Sequence, residues 1–156
     1  MRQRGYTVVE LITVMVILGI LAAIALPRMM GNEWNSLAWR QEVLSALRHA
    51  QKSAVGHRRL VCADVSAKKV ALKIAATNPP DAANPCSNDL AAPDNRDYES
   101  EKDTVKAGGK LGAYYFQPDG RITSDSAGTA SVAVGTAITF TDADQIRIDG
   151  ETGYVN

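Results

Sequence analysis

The chain has 156 residues, and its 17 Lys and Arg balance 17 Asp and Glu at a formal net charge of zero. That length suits one compact domain plus an anchor, and the balanced charge leaves no global field to draw in nucleic acid or an acidic surface. Two Cys and two His without ligand spacing give no metal site, and no residue pattern implies a cofactor.

The first element is an apolar segment from Tyr6 to Pro27. From Leu11 to Leu26 it is interrupted only by Thr13, whose hydroxyl can bond back to its own helix. Roughly 20 residues at about 1.5 Å of rise give about 30 Å of helix, enough for a bilayer core. Glu10 stands near the start of this segment, where inserting a carboxylate costs about 2–3 kcal/mol. An acid in that setting calls for a partner. Arg2 and Arg4 precede the segment, so the positive-inside rule places the N-terminus in the cytoplasm and the rest of the chain beyond the inner membrane, in an oxidising space. A secretory signal peptide would share the basic start and the small-residue run Ala23-Ile24-Ala25, but an acid does not belong at the head of its apolar region. A plain single-span anchor leaves Glu10 unexplained.

Pro27 removes a helical hydrogen bond and predicts a kink. Asn35 or Ser36 can cap a renewed helix, unless the first helix runs through. From Leu37 to Val55, Trp39, Val43, Leu47, Ala50 and Ala54 recur at helical spacing, Leu44 widens the stripe, and Gly56 suits the position past the helix end. The stripe predicts packing on a sheet. Strands follow at Arg59–Val65 and Lys69–Ala75, with Ser66-Ala67-Lys68 as the turn; Val70, Leu72 and Ile74 share one face. Residues 77–109 are rich in Pro, Asn and Asp and read as a surface insertion with few residues able to enter a core. Cys62 and Cys86, in an oxidising space, are expected to form a disulfide closing a loop of about 25 residues, worth roughly 3 kcal/mol. Strands are expected again at 113–116 and 121–123 around the turn Pro118-Asp119-Gly120, then at 131–134, 137–141, 145–149 and 154–155, so the C-terminal half is antiparallel and hairpin-rich.

Two sets of residues carry a family resemblance. Arg4-Gly5-Tyr6-Thr7-Val8-Val9-Glu10-Leu11, followed directly by the apolar run, resembles the prepilin signature of type IV pilins and type II secretion pseudopilins. The resemblance implies a leader of residues 1–5, cleavage between Gly5 and Tyr6 by a prepilin peptidase, methylation of the new N-terminus, and an assembly role for Glu10, which pairs with the freed amine of a neighbouring subunit. Tyr6 stands where the family commonly has Phe. Phe116, Pro118, Gly120 and Arg121, with Ile146, Ile148 and Thr152-Gly153-Tyr154-Val155, are similar to the H-type pseudopilins of type II secretion and the FimT-type minor pilins, and the segment Leu47–Ala54 resembles that group too. MSHA-type minor pilins of the C-type share the leader and a Cys pair.

The implied fold class is α+β, a long N-terminal helix packed on an antiparallel β-sheet domain. Its parts are a leader at 1–5, a membrane and filament-core helix at 6–27, an amphipathic half at 28–56, and a periplasmic β-rich domain at 57–156 that carries the insertion. The implied role is a non-enzymatic minor pilin or pseudopilin that joins a filament, in its initiation or tip complex, through helix packing with other pilins. Alternatives are a major structural pilin and a DNA-binding minor pilin. For the latter, Arg40, Arg48, Lys52, His57, Arg58 and Arg59 could form a basic strip, though net neutrality favours a solvated helix face. His49 and His57 have no catalytic partner placed by spacing.

Overall fold

The computed structural model describes the backbone at residues 7–28 and 32–156, and side chains at 7–23 and 32–156. Two helices come first, α1 (Val8–Arg28) and α2 (Asn32–His57). The backbone of α1 remains helical through Pro27. α2 starts at Asn32, ahead of the expected caps Asn35 and Ser36. Among the described residues no helix is long and apolar enough to cross a membrane. The expected span from Tyr6 to Pro27 overruns the described side chains of α1, which reach only residue 23, short of the roughly 20 residues a crossing takes.

The apolar stripe of α2 is buried as its spacing requires: Trp39, Val43, Leu44, Leu47, Ala50 and Ala54 all lie in the core. Ser36, Ala46 and Ser53 join them on the buried face, small residues that let the helix sit close to the sheet. The helix ends later than Gly56 suggested. Arg58 takes the left-handed conformation at φ 53°. The Arg59 amide donates to the Ala54 carbonyl at 3.1 Å, and the Arg58 amide to Val55 at 3.3 Å. This is the Schellman pattern with an arginine in the position glycine usually holds. Because Arg58 and Arg59 belong to this cap, the first strand begins at Val61 and not at Arg59.

Five of the six strands of the larger sheet run in the order β3 (Asn88–Asp89), β2 (Lys69–Ile74), β1 (Val61–Val65), β6 (Gly112–Phe116), β7 (Ile122–Thr123); the sixth, β4 (Tyr98–Glu99), also pairs with β2. β1 is the centre, antiparallel to β2 (Val61 opposite Ile74) and to β6 (Val61 opposite Phe116). Alternation puts Val61, Ala63 and Val65 under α2, and Cys62 and Asp64 on the other face. A second sheet, β5 (Ala107–Gly109), β8 (Thr136–Phe140), β9 (Ala143–Ile148), completes the core with Ala107, Ile138, Phe140, Ile146 and Ile148. The expected helix on an antiparallel β domain is therefore present, with its strands divided between two sheets.

Three expectations about loops need correction. The insertion is not a mere surface excursion: it supplies β3, β4 and β5, and Ala92, Tyr98, Val105 and Ala107 lie in the core. Tyr98 and Val105 each stand as a single apolar residue between polar ones, and Ala92 ends a run of three just before Pro93, so there is no period to detect. Residues 131–134 form no strand. Ser131 makes an isolated bridge to Thr123, and the Val132 amide donates to Ile122, so one inward residue is pinned while Val134 stays exposed. At the C-terminus Val155 bridges Ile148 without extending into a strand.

Candidate functional site

The described part of α1 is a rod with uncovered apolar side chains. From Val8 to Leu21 its large hydrophobic residues are all exposed, on every side of the helix. A helix apolar all round is stable only when lipid or other helices enclose it. Glu10 is the one charged residue among its described side chains, and it lies in the first turn. Thr7 sits just before the helix, and its Oγ1 accepts the Glu10 amide at 3.3 Å, the Thr-x-x-Glu order of a capping box. An acid there also favours the positive end of the helix dipole. The Glu10 carboxylate itself is exposed and forms no ion pair among the described residues. The Thr13 hydroxyl donates to the Glu10 carbonyl at 2.9 Å, satisfying itself on its own helix. Gly5 and Tyr6 lie outside the described residues.

Cys62 on β1 and Cys86 in the insertion form the expected disulfide, with their Cα atoms 6.1 Å apart. Cys86 is buried beside Leu60 and Ala75, and Cys62 and Tyr115 close the cluster on the sheet face away from α2. The bridge thus fastens the start of the insertion across that face.

The basic residues of α2 do not act as one strip. Arg40 Nε donates to the Asp144 carbonyl at 2.8 Å. The Arg48 guanidinium donates to the Val155 carbonyl at 3.2–3.3 Å, tying the C-terminus to the helix. Lys52, His57, Arg58 and Arg59 remain exposed at the far end of α2. His49 is half-buried, with Nε2 3.3 Å from the Ala91 carbonyl, so it holds the insertion against the helix. Burial pushes the Tyr114 hydroxyl up to about 12, and it donates to the Lys110 carbonyl at 2.5 Å.

Sequence reasoning missed the seam between α2 and the insertion. Glu42 lies there, half-buried and raised in pKa by desolvation and by the nearby carboxylates of Glu101 and Asp94, against the lowering effect of Arg96. Glu42 stands one residue before Val43 of the core stripe, which was the only available hint.

The Prokaryotic N-terminal methylation motif matches residues 1–26. The type II secretion system core protein G of Klebsiella pneumoniae is 50% identical over 46 residues, covering 30% of this chain and 31% of that protein. The protein of the same name from Pectobacterium carotovorum subsp. carotovorum is 48% identical over 44 residues, 28% of this chain and 27% of its own. The chain therefore matches less than a third of the length of these relatives. The crystal structure of the type IV minor pilin FimU from Pseudomonas aeruginosa aligns with a TM-score of 0.47 at 18% identity, covering 77% of this chain and 85% of that one.

Proposed function

We propose that this chain is a structural subunit, a minor pilin or pseudopilin, that assembles through α1 into a type IV pilus or a type II secretion pseudopilus. The observation that carries the reading is the uncovered apolar rod of α1 with one acid in its first turn, inside a segment that bears the N-terminal methylation motif. Before assembly the rod rests in the inner membrane, with Arg2 and Arg4 on the cytoplasmic side and the β domain in the periplasm. A prepilin peptidase cuts between Gly5 and Tyr6, and the new amine at Tyr6 lies about one helical turn from Glu10. In the filament core the rods leave lipid and cover one another. The Glu10 carboxylate of one subunit then meets the terminal amine of the next, and any register that leaves the charge unpaired is penalised. The rest of the molecule is displayed outward, where a subunit of the initiation or tip complex makes its contacts.

One experiment tests both halves of this reading. Gly5→Leu should leave a precursor about five residues heavier than the mature chain by intact mass. Glu10→Ala should mature and insert normally, since removing a charge worth about 2–3 kcal/mol only eases insertion, yet disappear from sheared filaments. A mature-sized Gly5→Leu product, or normal recovery of Glu10→Ala in filaments, would defeat the proposal.

A further inference from the structure

The two tryptophans of the chain, Trp34 and Trp39, both stand on α2 and meet opposite fates. Trp39 is 2% exposed in the core, whereas Trp34 is 55% exposed. Leu37, three residues on and so its neighbour on the helix surface, is 43% exposed. At 3.6 residues per turn, Trp34, Leu37, Ala38 and Gln41 share an arc of about 100°, opposite the buried Ser36, Trp39 and Val43. Glu33, Arg40 and Glu42 fall on the flanks of that arc, so it carries no charge at the start of the helix. The core of the β domain lies on the far side and does not account for these outward apolar residues.

The outward stripe also changes along its length. Past Trp34 and Leu37 it continues through the uncharged Gln41 and Ser45 to Arg48 and Lys52, all exposed. At 1.5 Å per residue, the two cations stand about 20–27 Å beyond Trp34. Val55, the exposed apolar residue at the far end, stands beside the turn at Gly120. Apolar, then uncharged and polar, then cationic with distance from α1 is the order a bilayer imposes on a segment leaving it. A protein partner sets no such order. The indole of Trp, apolar in body with one N–H, favours the headgroup level. That level is within reach: α1 ends at Arg28 and α2 begins at Asn32. At no more than about 3.6 Å per residue across the link and 1.5 Å within α2, Trp34 lies within about 17 Å of the end of α1.

We infer that, before assembly, the start of α2 rests on the periplasmic leaflet of the inner membrane, with the Trp34 indole and Leu37 in the headgroup layer. The occupant of this face is a lipid surface. The inference rests on the proposed function for the position of the bilayer. It adds that the β domain is held against the membrane and not only tethered to it, so that joining a filament requires the contact to be released.

The test uses the full chain in phosphatidylcholine vesicles. Flotation on a density gradient first reports whether the chain is anchored. Tryptophan emission is then compared in plain vesicles and in vesicles whose lipid carries bromine either high on its acyl chains or near the bilayer midplane. Trp34 emission should be lost to the bromolipids, and more to the shallow bromine than to the deep one. Trp34→Phe spares the fold, because the side chain is exposed, and leaves Trp39, which the core shields. Its emission should be the same in all three kinds of vesicle. A chain that does not float defeats the anchoring of α1 and this contact with it. A chain that floats and is as indifferent to bromine as Trp34→Phe overturns the contact and leaves the anchoring standing. Shielding of Trp34 from aqueous iodide without loss to bromolipid assigns the face to a second copy, and also overturns the contact.

Discussion

Single residues in this protein do work that their neighbours in sequence conceal. Arg58 holds the left-handed cap position of α2 at φ 53°, and the Asn78 side-chain amide donates to its carbonyl at 2.8 Å. A side chain in that conformation costs about 1–2 kcal/mol, part of which glycine returns through its looser unfolded state. Arg58→Gly should therefore stabilise the fold by about 0.5–1 kcal/mol, read as a higher denaturant midpoint. Asp125 is a second case. Its carboxylate accepts the Thr129 hydroxyl at 2.7 Å and the amides of Ala130 at 2.8 Å and Thr129 at 3.1 Å. These bonds hold its pKa below the usual aspartate range, with the Thr129 hydroxyl the largest cause. A group lowered in the folded state stabilises above its unfolded value of about 3.9 and loses that contribution as pH falls through its folded value. Asp125→Ala should thus be less stable than the parent at pH 7. The gap should close as the pH falls through the acid range below about 4, measured by denaturant midpoints across that series.

At the scale of elements, what the sequence revealed follows from periodicity and what it hid follows from isolation. The stripe Trp39–Ala54 and the alternation of Val70 and Leu72 each repeat often enough to be read, and the core takes them up as expected. The turn at Pro118-Asp119-Gly120 is likewise visible because each residue has a fixed use: Gly120 takes φ 95° and its amide closes onto the Gln117 carbonyl at 3.0 Å. Tyr98, Val105 and Ala92 enter the same core with no period around them, because their segment is held by tertiary ties. Three lysines on or beside β2 face three aspartates of the insertion, Lys68 with Asp103, Lys69 with Asp97 and Lys73 with Asp89. These pairs are exposed and individually weak. The disulfide is the stronger tie, closing a sequence separation of 24. Cys86→Ser should cost about 3 kcal/mol and should raise amide exchange first between Asn88 and Val105, while the β1–β6 pairing keeps its protection. Equal loss of protection in β6 would mean that the insertion is integral to the sheet and not strapped onto it.

The whole molecule divides by where apolar surface is covered. Among the described side chains, core residues begin at Trp39 on α2 and run to Val155, and none belongs to the part of α1 from Val8 to Ala23, whose large hydrophobic residues all face outward. The β domain therefore gains no core contact from residues 8–23 of α1. Two consequences follow for the proposed subunit. A fragment of residues 32–156 should fold alone, keep the disulfide, and unfold at the same denaturant midpoint as the full chain in detergent, within about 0.5 kcal/mol. The full chain without detergent should aggregate, because an all-apolar rod in water finds other rods. Glu10→Ala then isolates the assembly step: it should leave the midpoint of the full chain unmoved, since Glu10 touches no part of the β domain, while abolishing recovery in filaments. A variant that lost filament incorporation together with several kcal/mol of domain stability would show that α1 and the β domain are coupled. A division of labour between one rod for assembly and one domain for display would then have to be given up.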